Sequence, residues 1–219
     1  MTSEAPLQAL LDAIAQRDTE TALALVDIDP GLLGMRSSTG MSALSLAAYM
    51  SQADLAAALR GRCATPDFFE ALILGEADVV ERALAAGQDV NKLAPDGFPP
   101  LGLAVFFQHG ELARRLLDAG ADVDARADNP QRVAALHAAV ARGNAPMVQE
   151  LLKRGATVDL PQQQGITPLH AAAGAGRVDL VELLRGAGAD PGRQDEAGRD
   201  AAEHARQHGH AALGESLAH

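Results

Sequence analysis

Four stretches of the 219-residue chain end alike: Ala86-Gly87-Gln88-Asp89-Val90, Ala119-Gly120-Ala121-Asp122-Val123, Arg154-Gly155-Ala156-Thr157-Val158 and Ala187-Gly188-Ala189-Asp190-Pro191. Their glycines lie 33, 35 and 33 residues apart. An apolar pair precedes each, Ala83-Leu84, Leu116-Leu117, Leu151-Leu152 or Leu183-Leu184, and the leucines at 101, 136 and 169 keep the same spacing. A period of this size means that one supersecondary unit recurs, and that each unit leaves apolar surface which only its neighbours can cover.

The unit can be read most clearly at 167–188. Thr167 suits a helix N-cap, and Pro168 suits the first helical position, where a missing N–H costs nothing. Leu169, Ala172 and Ala173 share one face at helical spacing, and Gly176 ends the helix. Val178 to Leu184 gives a second helix, which Gly188 stops in the left-handed conformation. Composition agrees with closely packed helices. The chain holds 46 Ala and 30 Leu, but only six aromatic residues, all between Tyr49 and Phe107. β-Sandwiches and barrels, which rely on β-branched and aromatic side chains, are disfavoured.

The period and the string Thr167-Pro168-Leu169-His170-Ala171-Ala172, echoed by Leu136-His137-Ala138-Ala139, resemble the ankyrin repeat. The resemblance implies an all-α ankyrin-repeat solenoid of stacked helix-turn-helix units with short β-turn fingers. It covers nearly the whole chain, 1–219, as a single domain. Projecting the register gives an N-terminal unit at 5–35, repeats at 36–63, 64–92, 93–125, 126–160 and 161–193, and a polar C-terminal cap at 194–219. Runs such as Asp67-Phe68-Phe69-Glu70-Ala71 and Asp96-Gly97-Phe98 are similar to those of small stand-alone bacterial ankyrin-repeat proteins.

Two junctions break the period. Leu44 to Phe68 is 24 residues, nine short, so Arg60 to Pro66 must join two helices directly and one finger is expected to be missing. Between the next repeats, Asp128-Asn129-Pro130-Gln131-Arg132 carries two extra residues and should form a longer finger. Either loop drift or a groove shaped for one partner accounts for both. Phe68 and Phe69 are expected to pack the junction that lost its finger.

In the ankyrin family, binding is typically carried by the finger tips and the last residues of each first helix. The resemblance therefore points to the pairs Tyr49/Met50, Ile73/Leu74 and Phe106/Phe107, with Arg142 at the far end and Phe98 at a tip. Together they would make a continuous apolar strip along a concave groove, unless some of them fill the gap left by the missing finger. Such strips mark interaction sites. The implied function is a non-catalytic scaffold binding another protein or peptide. The alternatives are self-association into a homodimer through the same strip, and metal binding by a C-terminal histidine cluster. Residues 67–125 hold eleven acidic and four basic residues, a local −7, whereas 126–191 hold six and seven. The acidic stretch suits a partner with apolar anchors and basic flanks, or simply keeps that face solvated.

The remaining features argue against other classes. A net charge of −11 disfavours a general nucleic-acid binder and an anionic membrane surface. One cysteine, Cys63, allows no intrachain disulfide and reads as an incidental thiol in a cytoplasmic protein. Met1 to Asp18 shows no basic stretch followed by an apolar run, so no secretory leader is expected, and no membrane-spanning run, Gly-x-Ser-x-Gly or phosphate loop is found in the sequence. Catalytic residues, cofactors and metal ligands are therefore expected to be none. His137 and His170 are framework residues by resemblance. His204 and His208 stand four apart, with His210 and His219 nearby, and read as a solvated polar cap or, in the alternative, as metal ligands. Asp122 and Asp124 recur at one point of the repeat and are read as turn formers.

Overall fold

The computed structural model describes residues 4–63 and 65–218. It is all-α. Among the described residues there is no strand, only an isolated antiparallel bridge between Arg126 and Ala134. Contacts divide the chain into two compact units, one reaching Gln88 and including Leu93–Gly97, the other formed by Asp89–Lys92 and the chain from Phe98 onward.

In the first unit, helix pairs α1 (Glu4–Ala15) and α2 (Thr19–Ile28), α3 (Ala43–Tyr49) and α4 (Ala53–Arg62), and α5 (Phe68–Leu74) and α6 (Ala77–Ala85) follow one another. A 3-10 helix over Pro30–Gly34 separates the first two pairs. The first helices pack in the order α1–α3–α5, with α2 on α4 behind them. The second unit repeats the plan with α7 (Pro100–Phe106) and α8 (Gly110–Asp118), α9 (Ala135–Ala141) and α10 (Ala145–Lys153), α11 (Pro168–Gly174) and α12 (Val178–Gly186), and α13 (Ala201–Gln207) and α14 (Ala211–Leu217). There the first helices pack α7–α9–α11–α13, and α10 lies on α12.

Local signals match the sequence reading. Thr167 caps α11 through the His170 N–H, and Pro168 takes the first helical position. Leu44, Leu101, Leu136 and Leu169 are all fully or almost fully buried, as are the small residues beside them, Ala47, Ala104, Ala139 and Ala172. Side chains this small let first helices stack closely. After each first helix the chain turns through one left-handed residue: Arg17, Ser51, Gly75, Gln108, Gly143, Gly176 and Gly209. A second left-handed series, Gly40, Gly97, Arg132, Gly165 and Gly198, marks the finger tips.

The tip series has no member before α5 among the described residues. Cys63 to Asp67 joins α4 to α5, whereas Ala86 to Pro99 joins α6 to α7. One finger is thus missing, as expected. Asp67 and Glu70 form a capping box at the start of α5. This places Phe68 at the first helical position, whereas Leu44, Leu101, Leu136 and Leu169 occupy the second. The first helix of this repeat is therefore one residue short between its cap and its left-handed residue. Phe68 is buried, and Phe69, set edge-on against it, is only half-buried. The long finger is also present, pinned by an Ala127 N–H to Val133 carbonyl bond beside the Arg126–Ala134 bridge.

Candidate functional site

First-helix ends supply the candidate positions in both units. Tyr49 and Met50 close α3, Ile73 and Leu74 end α5, Phe106 and Phe107 close α7, and Ala141 and Arg142 close α9. Tyr49, Met50, Ile73 and Leu74 belong to the first unit. Phe98, Phe106, Phe107 and Arg142 belong to the second.

In the first unit these residues serve the core as well as the surface. Ile73 is buried, with 4% exposure, and offers a partner almost nothing. Met50 and Leu74 are half-buried against the hydrophobic cluster built on Leu10, Ile14, Leu44 and Leu59. Tyr49 donates its hydroxyl to the Asp96 carboxylate at 3.2 Å. Burial, and then the Asp96 charge, raise the hydroxyl's pKa, so it stays a neutral donor.

In the second unit the geometry is more open. Phe106 and Phe107 meet edge to face, with ring centroids 5.2 Å apart and planes at 82°. The Arg142 guanidinium carbon lies 4.7 Å above the centre of the Phe106 ring, within cation–π range. Both phenylalanines and Phe98 are half-buried, and Arg142 is exposed. Among the described residues, the most exposed large apolar side chains, Ile28 at 82% and Val178 at 50%, lie elsewhere. Neither the Arg142–Phe106 stack nor the Tyr49–Asp96 bond had a local sequence signal, since their partners lie 36 and 47 residues apart.

The histidines divide as follows. The His137 Nδ1 accepts from the Ala134 N–H, and its Nε2 meets the Leu160 carbonyl at 2.8 Å. Desolvation lowers its pKa to about 4. His170 bonds to the Thr167 N–H and to the Arg193 carbonyl in the same way, and burial lowers its pKa too. Both are framework residues. His204 corrects the expectation of a solvated cap. It is buried, with Nε2 2.9 Å from the Asp195 carboxylate, which Arg199 also pairs. His208 is exposed and bonds the His204 carbonyl. His219 lies outside the described residues. Among those residues no group of three or more His, Cys, Asp or Glu could hold a metal ion.

The recurring acids do more than turn the chain. Asp122 accepts from the Asp124 N–H, while Asp124 reaches the next repeat and accepts from Thr157. Asn91 receives the Asp122 N–H, and Asp159 the Asp190 N–H, in the equivalent places. At these three places one side chain ties to backbone about one period further on. No helix among the described residues is long and apolar enough to cross a membrane.

Paired helices, left-handed turns at fixed intervals and side chains that bond backbone about one period further on define a helix-turn-helix repeat protein. A family model described as ankyrin repeats (3 copies) matches residues 68–161 and 124–195. The chain belongs to the ankyrin-repeat family. It is 32% identical over 144 residues to an ankyrin repeat-containing protein of Treponema pallidum (strain Nichols), covering 66% of this chain and 48% of that one. It is 36% identical over 94 residues to human ankyrin repeat and KH domain-containing protein 1, 43% of this chain and 4% of that protein. Mouse ARF GTPase-activating protein GIT2 matches at 43% over 83 residues, 37% of this chain and 12% of its own length. The chain thus spans about half or less of each of these relatives.

Proposed function

We propose that this chain is a non-catalytic binding module that captures a partner protein or peptide on the face carrying its first-helix ends. Family membership supports the general class, since ankyrin repeats serve protein–protein interaction. The observation that carries the finer reading is the packed group of Phe106, Phe107 and Arg142. Two half-buried aromatic rings and an exposed guanidinium form one adjacent surface. Aromatic and arginine side chains are the residue types that dominate binding energy in protein interfaces. Phe98, also half-buried, belongs to the same unit and extends the apolar contact. In the first unit, Tyr49, Met50 and Leu74 offer a second apolar contact, with buried Ile73 supporting them.

The test is the double substitution Phe106→Glu and Phe107→Glu. Circular dichroism should remain helical, because both side chains stand at the end of α7 rather than in its core. A tagged wild-type chain should retain a partner from its native host, and the double variant should lose it. Equal retention by both would overturn the reading. Light scattering over a dilution series separates capture of another protein from self-association, which would show as a mass that halves on dilution.

A further inference from the structure

Six arginines of the second unit have a carboxylate within ion-pair distance: Arg114 and Arg115 with Glu111, Arg154 with Asp118 and Glu150, Arg177 with Asp179, Arg199 with Asp195, and Arg206 with Glu203. Arg142 has none among the described residues. Arg126, Arg132, Arg185 and Arg193 share that lack, but Arg142 is the one held against an aromatic ring. The guanidinium carbon lies over the Phe106 ring, and its N–H groups form a fixed fork of donors whose spacing matches the two oxygens of a carboxylate. Beside it lie the apolar edges of Phe106 and Phe107, half-buried and continuous with the cation.

We infer that the segment bound here presents an Asp or Glu side chain to Arg142 and, next to it, an apolar side chain to the Phe106–Phe107 pair. This rests on the proposed binding role and specifies the chemistry of its partner. A net charge of −11 works against an acidic ligand at long range. At physiological ionic strength the Debye length is about 8 Å, so distant acids are screened while a contact pair is not. The contact therefore decides the sign of the flanking charge, and it reverses the basic flank that the acidic stretch 67–125 suggests.

The experiment is selection of a displayed library of random 12-residue peptides, fused so that no free C-terminus is presented. The baits are the full-length wild-type chain, Arg142→Glu and Phe107→Glu. Wild type should enrich peptides with Asp or Glu beside a large apolar residue. Arg142→Glu should enrich Lys or Arg at the acidic position, and Phe107→Glu should enrich neither. For a wild-type winner measured by fluorescence polarisation, Arg142→Ala should weaken binding about tenfold, equivalent to about 1.4 kcal/mol. The same peptide with Asn or Gln replacing the acid should bind both forms alike. Arg142 is exposed, so circular dichroism of its variants should be unchanged. Winners that need Phe107 but carry basic or neutral flanks, and ignore Arg142, would overturn the inference and leave the binding role standing. Absence of any Phe107-dependent enrichment would overturn both.

Discussion

The connection from α4 to α5 and the connection from α8 to α9 solve one problem by opposite means. In the second unit the finger is long, and backbone bonds hold it. Ala127 donates to Val133, Gln163 of the next finger donates to Gln131, and Glu196 of the finger after that donates to Gln164. In the first unit the finger before α5 is missing, and side chains take over. Arg36 reaches Asp67 at 2.6 Å and Glu70 at 3.1 Å, and Arg60 pairs with Glu76. The tip Gly40 closes directly on Pro95 and Asp96 of the following finger, and Tyr49 bonds Asp96. A backbone ladder tolerates most substitutions because it is made by every residue type. A junction held by four or five particular side chains does not. The comparison therefore predicts that sensitivity to mutation concentrates in the first unit.

The largest effect should come at Gly40. Its φ is +77°, and an added Cβ would stand 2.1 Å from the Pro95 carbonyl oxygen, a backbone atom that cannot rotate away. Gly198, also a finger tip, has the same φ, and no atom lies within 4 Å of its Cβ position. Gly40→Ala should destabilise by about 3 kcal/mol, from left-handed strain plus overpacking, and Gly198→Ala by about 1 kcal/mol from strain alone. Urea denaturation of the two variants checks this. Equal midpoints would mean that the closed junction is not as tight as its geometry implies.

Next comes Arg36→Ala. It takes the counter-charge from Oε1 of the Glu70 carboxylate, whose side chain is 5% exposed, while Oε2 keeps the Asp67 N–H. Leaving a buried carboxylate without its counter-charge costs about 2–3 kcal/mol. Arg114→Ala, which removes an exposed pair with Glu111, should change stability by less than about 0.5 kcal/mol. The paired measurement separates a structural arginine from a surface one.

Acid should reverse the order of the two units. Every histidine of the chain lies at position 109 or beyond, so the first unit has none. The folded pKa of His137, about 4, stands below its unfolded value of 6.5, because burial disfavours the cation. Between those values the unfolded chain binds more protons. The contribution is therefore full above pH 6.5 and is lost as pH falls toward 4. By pH 5 the loss should be about 2 kcal/mol. His170, shifted the same way, adds to it. Hydrogen exchange at pH 7 and pH 5 should show protection falling in α9 and α11 but not in α3. His137→Gln should flatten the response.

How much of this was legible in the sequence depends on range. Caps, helix ends and the missing finger were legible, because Thr167-Pro168, Gly176, Gly188 and the nine-residue deficit are local features of a periodic string. The pairs at first-helix ends were legible as positions, since Phe106/Phe107 and Ala141/Arg142 close α7 and α9 as the register requires. Their environments were not. Ile73 falls at the same register point as Phe106, yet it is buried, because α5 is one residue shorter between cap and turn. His204 read as a solvated cap residue because its partner Asp195 is supplied by the preceding finger rather than by its own helix. Periodicity fixes where a residue sits in its repeat, and only packing decides what it faces.

The smallest effect concerns the left-handed residue that follows each first helix. Four of the seven are glycine, but Arg17, Ser51 and Gln108 are not. A non-glycine residue held at φ of +64°, as Gln108 is, carries local strain of about 1 kcal/mol. Gln108→Gly relieves that strain but makes the unfolded chain more flexible, which offsets part of the gain. The net expectation is stabilisation of about 0.5 kcal/mol, seen as a rise of one or two degrees in melting temperature. Gln108 immediately follows Phe107, so the same variant bears on the proposed site. If Gln108 is there only to turn the chain, Gln108→Gly should stabilise the protein and leave Phe107-dependent peptide binding unchanged. If binding falls while stability rises, Gln108 holds the Phe106–Phe107 pair in its edge-to-face arrangement, and its strain is retained for that purpose.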